Sequence, residues 1–153
     1  MKLLKHNKDE WQYELNRSEG DCLQSLLKQF PITKGFPNKI SRTDPNPETV
    51  EREKLLNESM AHHREQLKKL AGNLISADKI KASQNGWRLS ISPEERETLF
   101  QILNDIRVGC WRVLGEPENL ESKTSPPSDK ELMFYNLMNL AGYFEHKLLN
   151  LPD

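Results

Sequence analysis

Apolar residues recur along this chain at two spacings, which divide it into short alternating runs and longer helical ones. Trp11-Gln12-Tyr13-Glu14-Leu15 alternates apolar with polar, and Leu3-Leu4 lies just upstream across a polar turn, so a small hairpin is expected there. Trp87-Arg88-Leu89-Ser90-Ile91 alternates in the same way after Asn85-Gly86, a pair that favours a turn. Two such pieces are marginal alone, so they are expected to pair into a minor sheet of two or three strands resting on helices.

The longer segments carry the helical period. A first helix is expected from Ser18, whose hydroxyl can cap the Asp21 amide, through Cys22, Leu23, Leu26, Leu27 and Phe30 to the stop at Pro31. A second opens at Asn46-Pro47 and runs to about Ala77, with an apolar seam of Val50, Leu56, Met60, His63, Leu67, Leu70 and Leu74. A third opens at Ser92-Pro93-Glu94-Glu95, a capping box, and carries Leu99, Leu103, Ile106, Cys110 and Val113 before Leu114-Gly115 ends it. A fourth opens at Ser128-Asp129-Lys130-Glu131, another capping box, and carries Leu132, Tyr135, Leu137, Leu140, Phe144 and Leu148.

These elements predict a mainly α fold, a four-helix bundle-like domain with a small two- or three-stranded β element, spanning 1–153 as a single domain. Twenty-two leucines against seven isoleucines and three valines point the same way, because straight-chain residues lose little rotamer freedom in a helix. At 35% hydrophobic, the chain has enough apolar content to fold around a thin core. Two segments interrupt the pattern. The loop 115–127 holds three prolines with Ser and Glu. The arm 31–45 interleaves Ile32, Phe36 and Ile40 with Lys34, Lys39 and Arg42, so it either lies over the bundle or binds a partner through Phe36.

A net charge of −1 argues against a broad nucleic-acid or anionic-membrane footprint, and no nucleic-acid or membrane partner is expected. Charge is nevertheless segregated: residues 44–60 sum to −3 and 61–88 to +4, the order that the dipole of a long helix favours. The longest apolar run is Leu132-Met133-Phe134-Tyr135, far short of a membrane span, and Met1 to Trp11 offers no signal-peptide core. Cys22 and Cys110 lie at helical apolar positions without metal-ligand spacing, so buried reduced thiols and a cytoplasmic location are expected.

The third helix is the most unusual. Besides its seam it carries Phe100, Asn104, Arg107 and Trp111 as a second stripe, with Ile102 on another side, so it is expected to be the central helix. Asn104, Asp105 and Arg107 then need partners, since an unmet buried polar group costs about 1–3 kcal/mol. The internal reading pairs Arg107 with a carboxylate from the acidic start of the second helix and gives backbone amides to Asn104 or Asp105. The functional reading makes them a polar pocket in which Arg107 holds an anion beside Trp111.

Leu103-Asn104-Asp105-Ile106-Arg107 resembles the signature of an uncharacterised bacterial family best represented in actinobacteria, and the order of elements is similar to that family over most of the chain. The family's following Gly-Thr-Arg-Leu-Gly run is matched here only by Leu114-Gly115 within Trp111-Arg112-Val113-Leu114-Gly115, and Gly142 stands about where its last-helix glutamine falls. The resemblance implies no activity. It implies a genomic neighbourhood of a Clp protease adaptor and a JAMM-type metalloprotease, hence protein turnover or sulfur metabolism.

Histidines supply the remaining candidate chemistry. Glu58, His62 and Glu65 share a helix face, His63 lies on the seam, and His146 follows Glu145 on the last helix. Facing helices can hold a metal with such ligands, but the repeated Glu-x-x-His pattern of di-metal bundles is missing. A solvated ion-paired face with His63 at the core edge is the simpler expectation. The sequence therefore favours a non-catalytic domain with no cofactor, acting on a protein partner or as a homo-oligomer through Asn104, Asp105, Arg107, Trp111 and Phe36. The alternative is a metal-dependent enzyme using His62, His63 and His146.

Overall fold

A computed structural model describes residues 1–32, 46–76, 78–118 and 126–150. Its elements are β1 (Lys2–His6), β2 (Trp11–Asn16), α1 (Arg17–Gln29), α2 (Pro47–Leu74), β3 (Ile80–Ser83), β4 (Gly86–Ile91), α3 (Pro93–Val113) and α4 (Asp129–Leu149). The four strands form one antiparallel sheet in the order β1-β2-β4-β3. This is an α+β fold, which corrects the expected four-helix bundle with a two- or three-stranded element. The missed strand is β3. Ile80 is its one large apolar residue in four, so no alternation announces it. It exists because the two-residue turn Gln84-Asn85, one residue earlier than the expected Asn85-Gly86, folds it back onto β4, where Ser83 pairs with Gly86 and Ile80 pairs with Leu89 and is buried.

The sheet has one covered face. Trp11, Tyr13, Leu15, Trp87, Leu89 and Ile91 alternate onto it, and α1 and α3 pack on that side. Gly86 sits at the corner with φ +143°, and a Cβ there would fall 2.5 Å from the Leu15 carbonyl oxygen, so only glycine fits. Gly20 of α1 lies directly under the indole of Trp87, which a Cβ would overlap. Arg96 then ties sheet to helices: its Nε donates to the Tyr13 hydroxyl at 3.0 Å, its Nη2 donates to the Leu148 carbonyl, and its guanidinium lies 4.2 Å from the Trp11 ring centroid.

Helix starts follow local chemistry, with one correction. α1 begins at Asn16, whose side chain accepts the Glu19 amide at 2.8 Å while Glu19 accepts the Asn16 amide at 2.8 Å. This complete capping box satisfies two orphan donors and outcompetes the expected start at Ser18. Asn46, Ser92 and Ser128 cap α2, α3 and α4, Ser92 in the expected capping box with Glu95 and Ser128 by accepting the Glu131 amide.

The helix faces differ more. Of the expected α2 seam only Leu67 and Leu74 are buried, joined by Ala71; Val50, Leu56, Met60 and Leu70 are exposed. The row turned toward the rest of the fold reads Thr49, Glu53, Asn57, Arg64, Leu67, Ala71 and Leu74, polar for its first half. In α4 the buried row is Phe134, Met138, Ala141, Phe144, Glu145 and Leu148, so Leu132 is exposed while Tyr135, Leu137 and Leu140 lie at the edge. α3 buries Leu99, Ile102, Leu103, Ile106 and Cys110 and contacts α2, α4 and β4, with its closest packing along α4.

Candidate functional site

The second stripe of α3 does not enter the core. Asn104, Arg107 and Trp111 are exposed and Asp105 is half-buried, because the helix directs Ile102, Ile106 and Cys110 inward. Asn104, Asp105 and Arg107 also fail to converge. Asp105 points to α2, where Arg64 Nε donates to Oδ2 at 3.3 Å and Nη2 to Oδ1 at 3.2 Å. Arg107 points to α4, where its Nη1 lies 2.9 Å from Glu145 Oε2. The expected partner from the start of the second helix is thus replaced by Glu145 of the last one.

Arg107 and Glu145 are unequally solvated. The Arg107 side chain is 50% exposed and that of Glu145 is 5%. Burial raises the Glu145 carboxyl above its usual value, and the neighbouring Arg107 pulls it back down. Its second oxygen, Oε1, is buried and meets no hydrogen-bond partner among the described residues. Glu145 lies in helical register with Phe134, Met138, Ala141 and Leu148, a row that the more hydrophobic seam through Leu132, Leu137 and Leu140 conceals in the sequence. Glu145 reads as one charge in a polar stretch, and only the placement of α4 against α3 brings it inside.

Beside this pair α3 and α4 leave an open cleft of about 630 Å³ lined by Arg107, Val108, Trp111, Met138, Asn139 and Gly142. Trp111 is 37% exposed and its indole N–H donates to the Pro117 carbonyl at 3.2 Å, so the ring is held rather than free to rotate. Gly142 opens the floor: a Cβ there would come 3.8 Å from Arg107 Cδ. Indole, valine and methionine supply an apolar wall, and Arg107 and Asn139 supply donors at its rim. The cleft therefore suits an apolar group flanked by an acceptor. A shallower apolar surface of about 370 Å³ runs along α4 by Leu132, Met133, Leu137 and Leu140, residues that the sequence pattern assigned in part to the core.

The other candidates lie elsewhere. His62 and His63 are exposed on α2, which corrects the core-edge reading of His63, and His62 Nε2 lies 3.2 Å from the Gln66 amide nitrogen. His146 is exposed on α4, with Nε2 2.8 Å from the Asn150 amide nitrogen. Among the described residues no three His, Cys, Asp or Glu side chains gather at metal-binding distance. Cys110 is buried with its thiol pushed up to about 11, whereas Cys22 is only half-buried. Phe36 and most of the 31–45 arm lie outside the described residues, as do 119–125 of the 115–127 loop. Among the described residues no helix is long and apolar enough to cross a membrane.

No family model matches the chain, and no curated protein or solved structure matches it.

Proposed function

We propose that this protein is a non-catalytic cytoplasmic binding domain that docks a protein partner in the α3/α4 cleft. The supporting observation is the held indole of Trp111 beside Val108 and the half-exposed Arg107 in one open concavity. Tryptophan and arginine at the centre of a concave apolar surface are the residue types that concentrate binding energy. An apolar side chain of the partner fills the space against Trp111 and Val108. Arg107 and Asn139 bond the carbonyls or a carboxylate beside it. The resemblance of Leu103 to Arg107 makes proteins of regulated proteolysis the first partners to test.

A benzophenone side chain placed at exposed Asn139 is expected to trap the partner in lysate. Trp111→Ala and Val108→Glu are each expected to abolish the trapping, and Leu132→Ser on the outer face of α4 to leave it intact. Trapping that persists in both cleft variants, with their circular dichroism unchanged, overturns the reading.

A further inference from the structure

We propose that two copies of the chain associate through α2, antiparallel about a two-fold axis that passes near His63. This contact is separate from the α3/α4 cleft and rests on different residues. The apolar seam of α2 is split between two uses. Leu67, Ala71 and Leu74 are buried against the rest of the fold, while Leu56, His63 and Leu70 stand on the outside at seven-residue intervals. Seven residues are almost two full turns, so those three form one row along the helix. Leu56 and Leu70 are 40% and 42% exposed, and Met60 lies at the row's edge.

The row is symmetric about its own centre. Turning a second α2 end for end about His63 sets Leu56 of each copy against Leu70 of the other and His63 against its counterpart. An isologous contact requires such self-matching. Charge selects the antiparallel direction. Among the exposed charges of α2, Glu48, Glu51 and Glu58 outnumber Arg52 and Lys54 in the first half, and Lys68 and Lys69 outnumber Glu65 in the second. A parallel pair would bring halves of like net charge together, whereas an antiparallel pair sets the net acidic half against the net basic half and also opposes the helix dipoles. The length of α2 fits this role, since 28 residues extend about 42 Å and the first half carries four exposed apolar residues, Val50, Leu55, Leu56 and Met60. Few leucines per copy make the dimer one that dissociates on dilution.

Cysteine pairing and charge reversal test the geometry. In a Cys22→Ser background, His63→Cys is expected to give a disulfide-linked dimer on mild oxidation. Leu56→Cys and Leu70→Cys should cross-link when mixed but not separately. In sedimentation, Glu51→Lys with Glu58→Lys, and separately Lys68→Glu with Lys69→Glu, are each expected to weaken self-association at least tenfold. A mixture of the two variants should associate again. These positions are exposed, so the fold should be retained and circular dichroism checks it. A wild-type protein that sediments as a monomer at every concentration overturns the proposal. So does Leu56→Cys cross-linking to itself, which would mark a parallel pair, or failure of the two charge variants to restore each other.

Discussion

Arg107 Nη1 lies 2.9 Å from Glu145 Oε2, and the exposed cation holds a carboxylate that is almost wholly buried at the edge of the α3/α4 cleft. Removing the arginine leaves that carboxylate without its cation. Arg107→Ala is therefore expected to destabilise the fold by about 1–2 kcal/mol in urea titrations at neutral pH, the lower part of the range for an orphaned buried charge because Arg107 is half in water.

The same pair sets a pH dependence. The native state holds the Glu145 proton more tightly than the unfolded chain does, because burial raises its carboxyl above the usual 4.5. Stability contributed this way is fully present below that value and falls as pH rises through the higher native value. Glu145→Gln should flatten the slope of stability against pH just above 4.5, and Arg107→Ala should steepen it and extend it upward. Urea midpoints measured across that window decide the matter; an unchanged slope in Glu145→Gln would falsify the assignment.

Gly20 and Gly72 make a matched pair of tests. Gly20→Ala places a methyl group where the Trp87 indole lies, and it is expected to cost about 1–3 kcal/mol or more. Gly72→Ala on α2 meets nothing within 4 Å and should stabilise by about 0.5–1 kcal/mol through helix propensity alone. Thermal melts of the two variants should therefore move in opposite directions.

Arg64 and Asp105 link α2 to α3 through two bonds at sites that are about one-fifth exposed. A double-mutant cycle with Arg64→Ala and Asp105→Ala is expected to give a coupling energy of about 1 kcal/mol, which 1 M salt reduces only in part. A coupling within error of zero would show that the pair merely follows the packing of the helices.

Cys110, with a thiol pushed up to about 11, should resist alkylation at pH 8 until the chain unfolds, because only the thiolate reacts. Cys22 should react first, being half-buried on α1. Mass spectrometry of the native protein after a short exposure to iodoacetamide resolves the order.

Local chemistry was legible in the residues themselves. Asn46, Ser92 and Ser128 cap their helices, and Trp11 to Leu15 and Trp87 to Ile91 are strands. Those features depend on neighbours within a turn or on a period of two, so a single stretch of sequence carries them. The faces of α2 and α4 were not legible. Leu56, His63 and Leu70 recur at the same seven-residue interval as Leu67 and Leu74, and only the position of α1 and α3 decides which row is covered.

The sequence by itself thus determined the four helices, the starts of α2, α3 and α4 and three of the strands, because capping and alternation act locally, whereas α1 starts at Asn16 rather than Ser18. The tertiary structure alone decided that Ile80 to Ser83 completes a four-stranded sheet, that Asp105 belongs to Arg64, and that Glu145 is the buried partner of Arg107. Each of those pairings joins residues distant in sequence or too short a segment to show a period, and burial, which sets their energies, exists only once the elements have packed.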